Sequence, residues 1–280
     1  MALPKWLIKS TPKSRNKKII REILGNDSIH TVCESAMCPN IGECYSKNTV
    51  TFMILGNSCT RSCSFCAVAH NGPEKIDHEE PKKVAEAAKK LGLKYVVVTS
   101  VTRDDLSDGG ANHFAKTINA LKIAIPSVRI EVLIPDLQGN TEALSLIVEA
   151  KPNTINHNLE TVKRLYKTVR PQADYNMSLN LLKQAKFQNN PLYTKSGIML
   201  GLGEQKDEVI ALMNDLRSVD CDILTIGQYL RPSSNQIEVK EYVVPKIFEE
   251  FEKIGTELGF KKVFAGPFVR SSYRAGEINV

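Results

Sequence analysis

The sequence predicts an α/β fold in which parallel strands form a barrel, and three observations support this. Short apolar stretches rich in β-branched residues alternate with amphipathic helical patterns along most of the 280 residues. This alternation is typical of parallel strands joined by right-handed helical crossovers. The polar and glycine-rich stretches follow the strands at one end, where parallel barrels carry their functional loops. We therefore predict a partial (β/α)6 barrel of the TIM type with N- and C-terminal extensions.

Seven stretches have the character of buried strands, at 51–55, 95–100, 129–134, 153–158, 195–200, 222–228 and 261–266. Helical spacing lies between most of them. The segment 79–92 places Val84, Ala87, Ala88 and Leu91 on one face and ends at Gly92. The segment 174–187 opens with Asp174 as a cap, and the segments 204–219 and 244–259 show the same periodicity.

No linker rich in Gly, Pro or Ser divides the chain, so one domain is expected. We expect an N-terminal extension over 1–48, the barrel over 49–266 and a C-terminal tail over 267–280.

The composition is that of an ordinary globular protein, with 42% hydrophobic and 24% charged residues. No apolar run approaches the roughly 20 residues that span a bilayer, and the first residues lack the apolar core of a secretory signal. We expect a cytoplasmic protein that binds neither membrane nor nucleic acid. The net charge of +6 includes a basic cluster that is either a solvated helix face or a docking surface for an acidic partner: Lys13, Arg15, Lys17, Lys18 and Arg21.

Six of the seven cysteines form two trios, which are Cys33, Cys38 and Cys44, and Cys59, Cys63 and Cys66. A disulfide framework is a poor explanation, because such frameworks are typical of small secreted chains and this chain is neither small nor visibly secreted. Structural zinc usually takes four ligands in paired knuckles, so zinc completed by His70 is the weaker alternative. An iron–sulfur cluster accepts these spacings, and a four-iron cluster on three thiolates leaves one iron open to a substrate. The lone Cys221 is expected to be a buried core thiol.

The stretch CTRSCSFC at 59–66 resembles the signature of the radical S-adenosylmethionine enzymes, including an aromatic residue, Phe65, before the third cysteine. Other stretches resemble the lipoyl synthase family: CESAMCPNIGEC at 33–44, VTSVTRDDLSDGGA at 98–111, HNLETVKRLYKTVRP at 157–171 and GPFVRSSY at 266–273. The resemblance covers roughly residues 30 to 275, with the motifs in family order.

The resemblance implies two 4Fe–4S clusters. Cys59, Cys63 and Cys66 would hold the first, whose open iron chelates S-adenosylmethionine and generates a 5′-deoxyadenosyl radical. The other trio and a tail serine would hold an auxiliary cluster, which the family is thought to consume as its sulfur source. Ser271 and Ser272 are both candidates, and the resemblance favours Ser272. A hard alkoxide suits iron in a sulfide cube less well than thiolate, so it would be a labile ligand.

The resemblance also implies contacts with S-adenosylmethionine. Phe65 would pack on adenine beside the backbone of 227–230, and Thr99 and Ser100 would lie near the methionyl end. The remaining expected contacts are Asn158 and Glu160 to ribose or the amino group, Lys195 to the carboxylate, and the segment Gln228, Tyr229 and Leu230. Helix capping is an equal alternative for Asn158 and Glu160, and His157 is expected to be a structural histidine.

The implied activity is insertion of two sulfurs at C6 and C8 of an octanoyl chain linked to a lysine of a lipoyl-carrier domain or glycine-cleavage H protein. Implied partners are a ferredoxin or flavodoxin and an iron–sulfur carrier protein. From their charge, Arg103, Arg270 and the basic cluster are expected to dock the carrier. The alternatives are another radical enzyme, such as a biotin synthase or a methylthiolating enzyme, and a non-catalytic iron–sulfur carrier.

Overall fold

A computed structural model describes residues 3–9, 15–25, 29–47, 49–188, 192–273 and 275–277. The strands within them are β1 His30–Thr31, β2 Thr51–Ile54, β3 Tyr95–Ser100, β4 Arg129–Leu133, β5 Thr154–Asn156, β6 Tyr193–Leu200, β7 Ile223–Gln228 and β8 Lys262–Gly266. The helices are α1 Arg15–Ile23, α2 Val32–Ser35, α3 Ile41–Ser46, α4 Glu80–Lys90, α5 Ala111–Ala124, α6 Thr141–Glu149, α7 Tyr166–Val169, α8 Tyr175–Phe187, α9 Lys206–Ser218 and α10 Pro245–Glu257.

The strands form one sheet in chain order, and β2 to β8 run parallel. The described residues show no pairing between β8 and the first strands, so the sheet is an open barrel, which confirms the predicted fold class. Every predicted strand occurs with its ends within two residues. The antiparallel strand β1 was not predicted, because two residues are too few to show a period.

The helices cover the outside of the sheet as their apolar faces predict. One apolar cluster packs β2 to β5 against α4, α5 and α6, and a second packs β6 to β8 against α8, α9 and α10. The predicted cap is present, since the Asp174 carboxylate accepts from the amide of Met177 at 2.7 Å. Cys221 is fully buried two residues before β7, as expected of a core thiol. No helix of the described residues is long and apolar enough to cross a membrane.

A charged network fills the barrel interior near the amino ends of β3 and β4. The Glu131 carboxylate accepts from Lys195 Nζ at 2.9 and 3.1 Å, from Asn156 Nδ2 at 3.0 Å and from the Tyr95 hydroxyl at 2.8 Å. Glu131 and Lys195 are inaccessible to solvent. The charges are tolerated because each is paired and hydrogen-bonded.

The C-terminal tail, described at 267–273 and 275–277, turns back from β8 into the open barrel. The Val269 carbonyl lies so close to Gly227 of β7 that a Cβ there would be 2.1 Å from the carbonyl oxygen. Further along, the Gly276 carbonyl accepts from Arg129 Nη2 at 3.2 Å at the amino end of β4. The tail therefore runs from the carboxyl ends of the strands towards their amino ends.

A group that we call the terminal clasp joins both extensions and consists of Lys9, Asn40, Glu43, Phe268 and Tyr273. Lys9 Nζ forms an ion pair with Glu43, donates to Asn40 Oδ1 at 2.9 Å and lies 4.9 Å from the centroid of the Phe268 ring. Asn40 Nδ2 donates to the Phe268 carbonyl at 2.7 Å, and the Tyr273 hydroxyl donates to Glu43 at 3.0 Å. The clasp fixes the tail against α3, directly beside the first cysteine trio.

Candidate active site at the carboxyl ends of the strands

A cavity of about 350 Å³ lies at the carboxyl ends of the parallel strands. Its wall is built from the N-terminal extension, from the loops that follow the strands and from the tail. Five of the six clustered cysteines line it with both tail serines: Cys33, Cys38, Cys59, Cys63, Cys66, Ser271 and Ser272. Cys44 lies in α3 and is not a lining residue. Motifs far apart in sequence therefore meet in one place.

The loop of the second trio is closed on itself. The Cys59 amide donates to the Ala69 carbonyl at 2.8 Å, and the Cys66 amide donates to the Cys63 carbonyl at 3.0 Å. The Ser64 amide is held by the Val169 carbonyl at 3.0 Å. The loop is therefore a fixed frame that presents three thiols to the cavity.

The first trio sits on short helical turns. Thr31 caps α2 by accepting from the Glu34 amide at 3.3 Å, and the Cys38 amide donates to the Cys33 carbonyl at 3.0 Å. Between these cysteines Met37 adopts a left-handed φ of 51°, and its side chain is exposed at the edge of the cavity. Such strain in a non-glycine residue is typical of functional sites.

Burial keeps most of these thiols protonated in the metal-free protein. It raises the pKa of Cys33 and of Cys66 to about 12 and that of Cys44 to about 11, and it raises the pKa of Cys63. Ligation must displace these protons, because thiolate is the ligand.

Glu160 enters the cavity through strained backbone with a φ of 65°. Asn158 Nδ2 donates to Glu160 Oε1 at 2.9 Å and to Ser271 Oγ at 2.6 Å. Burial raises the pKa of the Glu160 carboxyl, and the nearby guanidinium of Arg170 opposes this. The capping alternative is wrong, because the next helical turn begins at Lys163 and is preceded by Val162 without a side-chain cap.

Two lining residues were not expected to contact a ligand. His157 Nδ1 bonds to the Ile134 carbonyl at 2.8 Å, and burial lowers the pKa of His157 to about 4, so the ring is neutral and Nε2 is an acceptor at the cavity. Arg170 donates through Nη1 to the Asn158 carbonyl at 2.8 Å, while its buried Nε has no partner. The only signal in the sequence that His157 and Arg170 could contact a ligand is that both lie within the motif at 157–171.

The other predicted cofactor contacts divide into two groups. The cavity is lined by Phe65, Thr99, Ser100, Asn158, Glu160, Tyr229 and Leu230. Lys195 and Gln228 lie outside the lining. The Lys195 ammonium is held by Glu131, and Gln228 Nε2 donates to the Glu241 carbonyl at 2.9 Å to anchor the loop after β7.

Burial contradicts the docking role expected of Arg103, whereas Arg270 is half-buried in the wall of the cavity. Arg103 is 3% exposed and pairs with Asp105 at 2.8 Å, and Arg270 lines the cavity with Nη1 donating to the Val269 carbonyl at 2.7 Å. Of the basic cluster, Lys13 and the side chains of Arg15 and Lys17 lie outside the described residues. Its role stays a prediction.

The site fits the groups that the sequence implies. All seven cysteines are free thiols. His70, which would complete a zinc site, is exposed and does not line the cavity. Buried polar atoms without a partner face the cavity, namely Ser100 Oγ, His157 Nε2 and Asn158 Oδ1, so a polar cofactor would satisfy them. The absent Cβ of Gly197 leaves room beside Asn158, Thr225 and Ser271.

The fold and a family match define the class of protein. Residues 53–216 match the model of the radical SAM superfamily. The structure is similar to methylornithine synthase (PylB), with a TM-score of 0.61 at 20% identity over 76% of this chain and 63% of that one. It is also similar to Streptococcus suis SuiB bound to S-adenosylmethionine, with a TM-score of 0.56 at 12% identity over 78% and 50%. These likenesses show a radical SAM fold.

Closer relatives identify the family. The chain is 59% identical to the lipoyl synthase of Caldanaerobacter subterraneus subsp. tengcongensis over 97% of this chain and 95% of that protein. It is 54% identical to the lipoyl synthase of Aquifex aeolicus over 92% and 94%. The chain belongs to the lipoyl synthase family. It is accordingly a radical SAM sulfurtransferase that uses S-adenosylmethionine and two 4Fe–4S clusters and acts on a lipoyl-carrier protein.

Proposed function

We propose that the protein inserts two sulfur atoms, at C6 and C8, into an octanoyl chain bound to a lysine of its carrier protein. The observation that carries this proposal is the meeting of two cysteine trios and two tail serines around one cavity. A single cluster-binding loop would suffice for radical chemistry alone, whereas sulfur insertion needs a source of sulfur beside it.

Cys59, Cys63 and Cys66 would hold the first cluster, and Cys33, Cys38, Cys44 and Ser272 the auxiliary one. When bound, the clusters and S-adenosylmethionine supply a low-potential electron, a hydrogen-abstracting radical and sulfur. Ser271 Oγ is occupied by Asn158 Nδ2 at 2.6 Å, which supports Ser272 as the iron ligand. The division into extension, barrel and tail is proposed on the same basis, since the auxiliary ligands lie outside the barrel.

The polar wall of the cavity would orient S-adenosylmethionine. Neutral His157 offers an acceptor at Nε2 and Asn158 offers one at Oδ1, and both suit ribose hydroxyls or an amino group. Glu160 and Arg170 place one acidic and one basic group side by side, which matches a zwitterionic amino acid. Phe65, Tyr229 and Leu230 would exclude water around adenine.

The apolar wall would take the octanoyl chain. Val32, Ala36, Met37 and Pro39 form one side of the cavity next to Cys38. Met37 is 61% exposed, so it stands where a chain tethered to a carrier protein would enter. An acyl chain laid along this side would pass the auxiliary site, where sulfur must be delivered.

A ferredoxin or flavodoxin as reductant, an iron–sulfur carrier that rebuilds the auxiliary cluster, and a cytoplasmic location complete the proposal. These three points rest on the requirements of the chemistry and on the sequence.

Mass spectrometry of an octanoyl-lysyl peptide tests the function, after anaerobic incubation with reconstituted protein, S-adenosylmethionine and dithionite. We expect the peptide to gain two sulfurs, with two hydrogens lost from the alkyl carbons and two thiol hydrogens present in the reduced product. An unchanged peptide with newly formed 5′-deoxyadenosine would move the radical chemistry to another substrate. An unchanged peptide without 5′-deoxyadenosine, from protein with both clusters verified, would favour an iron–sulfur carrier.

A further inference from the structure

One guanidinium joins three loops beside the cavity. Arg61 Nε and Nη2 donate to the Asp104 carboxylate at 2.6 and 2.9 Å, and Nη1 and Nη2 donate to the Asp136 carboxylate at 2.6 and 2.8 Å. Arg61 lies in the cysteine loop, Asp104 follows β3 and Asp136 follows β4. Two bidentate pairs on one buried arginine fix the relative positions of all three loops.

Next to Arg61, a set of hydrogen bonds that we call the seam joins Thr60 of the cysteine loop to Thr102 and Asp104. The Thr102 carbonyl accepts from the amide and hydroxyl of Thr60 at 3.0 and 2.9 Å, and the Asp104 amide donates to the Thr60 hydroxyl at 3.1 Å. The loop after β3 is therefore held along the cysteine loop from Thr102 to Asp104.

The seam places two backbone donors on one sulfur. The amides of Arg61 and Thr102 donate to Cys59 Sγ at 3.4 and 3.3 Å. Hydrogen bonds to a ligating sulfur stabilise the more negative, reduced state of an iron–sulfur cluster and raise its reduction potential. The strength of the two hydrogen bonds to Cys59 Sγ depends on the position of the loop after β3 relative to the cysteine loop. The ion pairs of Arg61 fix this position.

We propose that Arg61 is a positioning residue that holds both N–H donors on Cys59 Sγ and thereby makes the cluster bound at Cys59, Cys63 and Cys66 easier to reduce. The inference rests on the proposed ligation by these three cysteines. Arg61, Asp104 and Asp136 together carry a charge of −1. This negative charge alone would make it harder to add an electron to the cluster. Positioning and charge therefore act in opposite directions, and an experiment can separate them.

The test uses the Arg61→Lys and Asp104→Asn variants with Asp105→Asn as the matched control. Lysine keeps the charge and loses the planar fork. Asp105 is a close match for Asp104, because their side chains are 31% and 30% exposed and Asp105 is also paired bidentately, with Arg103 at 2.9 and 2.8 Å. Arg103 donates to the Leu55 carbonyl and not to the cysteine loop, so Asp105→Asn removes a charge without opening the seam.

The measurement is electron paramagnetic resonance of the reconstituted full chain at a series of fixed potentials, following the signal that changes when S-adenosylmethionine is added. We expect Arg61→Lys to lower the ratio of reduced to oxidised cluster about tenfold at a fixed potential, which is about 59 mV for one electron. At the same potential, the ratio of reduced to oxidised cluster in Asp104→Asn should be about tenfold lower than the ratio in Asp105→Asn. A ratio within twofold of the parent in Arg61→Lys, or equal ratios in the two asparagine variants, would overturn the proposal.

If a variant does not load the cluster, amide hydrogen exchange in cluster-free protein decides. Positioning requires lost protection at Arg61 and Thr102 in Arg61→Lys and Asp104→Asn but not in Asp105→Asn, and unchanged protection refutes it. A parent protein that binds no cluster through these cysteines would instead remove the proposed function.

Discussion

Replacing Gly227 with alanine is expected to displace the C-terminal tail. Real Cβ atoms essentially never lie closer than 3.0 Å to another heavy atom, and this one would lie 2.1 Å from the Val269 carbonyl oxygen, so the tail must move by at least 0.9 Å (3.0 − 2.1). Gly227 pairs with Gly266 in the sheet, which leaves the strand little freedom to yield. Overpacking of this kind costs about 1–3 kcal/mol of unfolding free energy.

The functional effect should exceed the effect on stability. The tail carries Ser272, and a misplacement of about 1 Å can cost about 100-fold in rate. We expect sulfur insertion into octanoyl peptide to fall by about 100-fold. Cleavage of S-adenosylmethionine should fall less, because the cysteine loop is untouched and the tail meets the cofactor-orienting wall through Ser271 and Asn158.

Gly266→Ala is the matched control, since its Cβ would meet only a Val269 methyl at an ordinary 3.4 Å. Urea unfolding, hydrogen exchange over 267–273 and product analysis should separate the two variants. If Gly227→Ala matches Gly266→Ala in all three, the tail does not depend on this contact.

Three further predictions concern other parts of the molecule. Met37→Glu, at the mouth of the cavity, should raise KM for octanoyl-lysyl peptide about tenfold, a loss of about 1.4 kcal/mol, and an unchanged KM would argue against entry there. Burial alone would raise the pKa of Asp222, but its ion pair with Lys186 at 2.6 Å helps to hold the pKa below its usual range. Asp222→Asn should therefore lose about 2 kcal/mol at pH 7 in urea unfolding, and the difference from the parent should disappear as the pH falls through the folded pKa, below about 3.9. Lys195→Met should lower the free energy of unfolding by about 3–5 kcal/mol, because it leaves Glu131 buried without its cation. The affinity of the folded protein for S-adenosylmethionine, measured by calorimetry, should be unchanged. A weakened affinity would instead support the contact between Lys195 and the cofactor that the sequence predicts.

The fold was predictable because its signals are local. β-branched runs bounded by polar or glycine-rich stretches located the parallel strands, and Asp174 marked a helix start through a bond to the third residue after it. The parallel arrangement then predicted which loops share one end of the barrel, so the cysteine loop and residues 157–161 were correctly expected to meet.

The errors arose where partners are distant in sequence. Lys195 was assigned to a cofactor because its partner, Glu131, lies two strands away and no local pattern links them. The charge of Arg103 and Arg270 indicated surface cations, although Arg103 is buried and Arg270 is half-buried in the wall of the cavity. The role of Arg61 depends on carboxylates in two other loops, so its position between cysteines did not reveal it.

The terminal clasp has a consequence for the order in which the molecule is assembled. It joins Asn40 to Phe268 and Glu43 to Tyr273, contacts that span 228 and 230 positions. Closing so long a loop costs more entropy than closing a short one, and the barrel between its ends must form first. The hydrogen bonds that hold the loop 59–66, by contrast, come from residues that precede the tail, such as Val169 and Ile237 on Ser64. Folding would therefore prepare the two cysteine trios for cluster binding one after the other. A nascent chain could bind a cluster at 59–66 before the surroundings of Cys33 and Cys38 are complete.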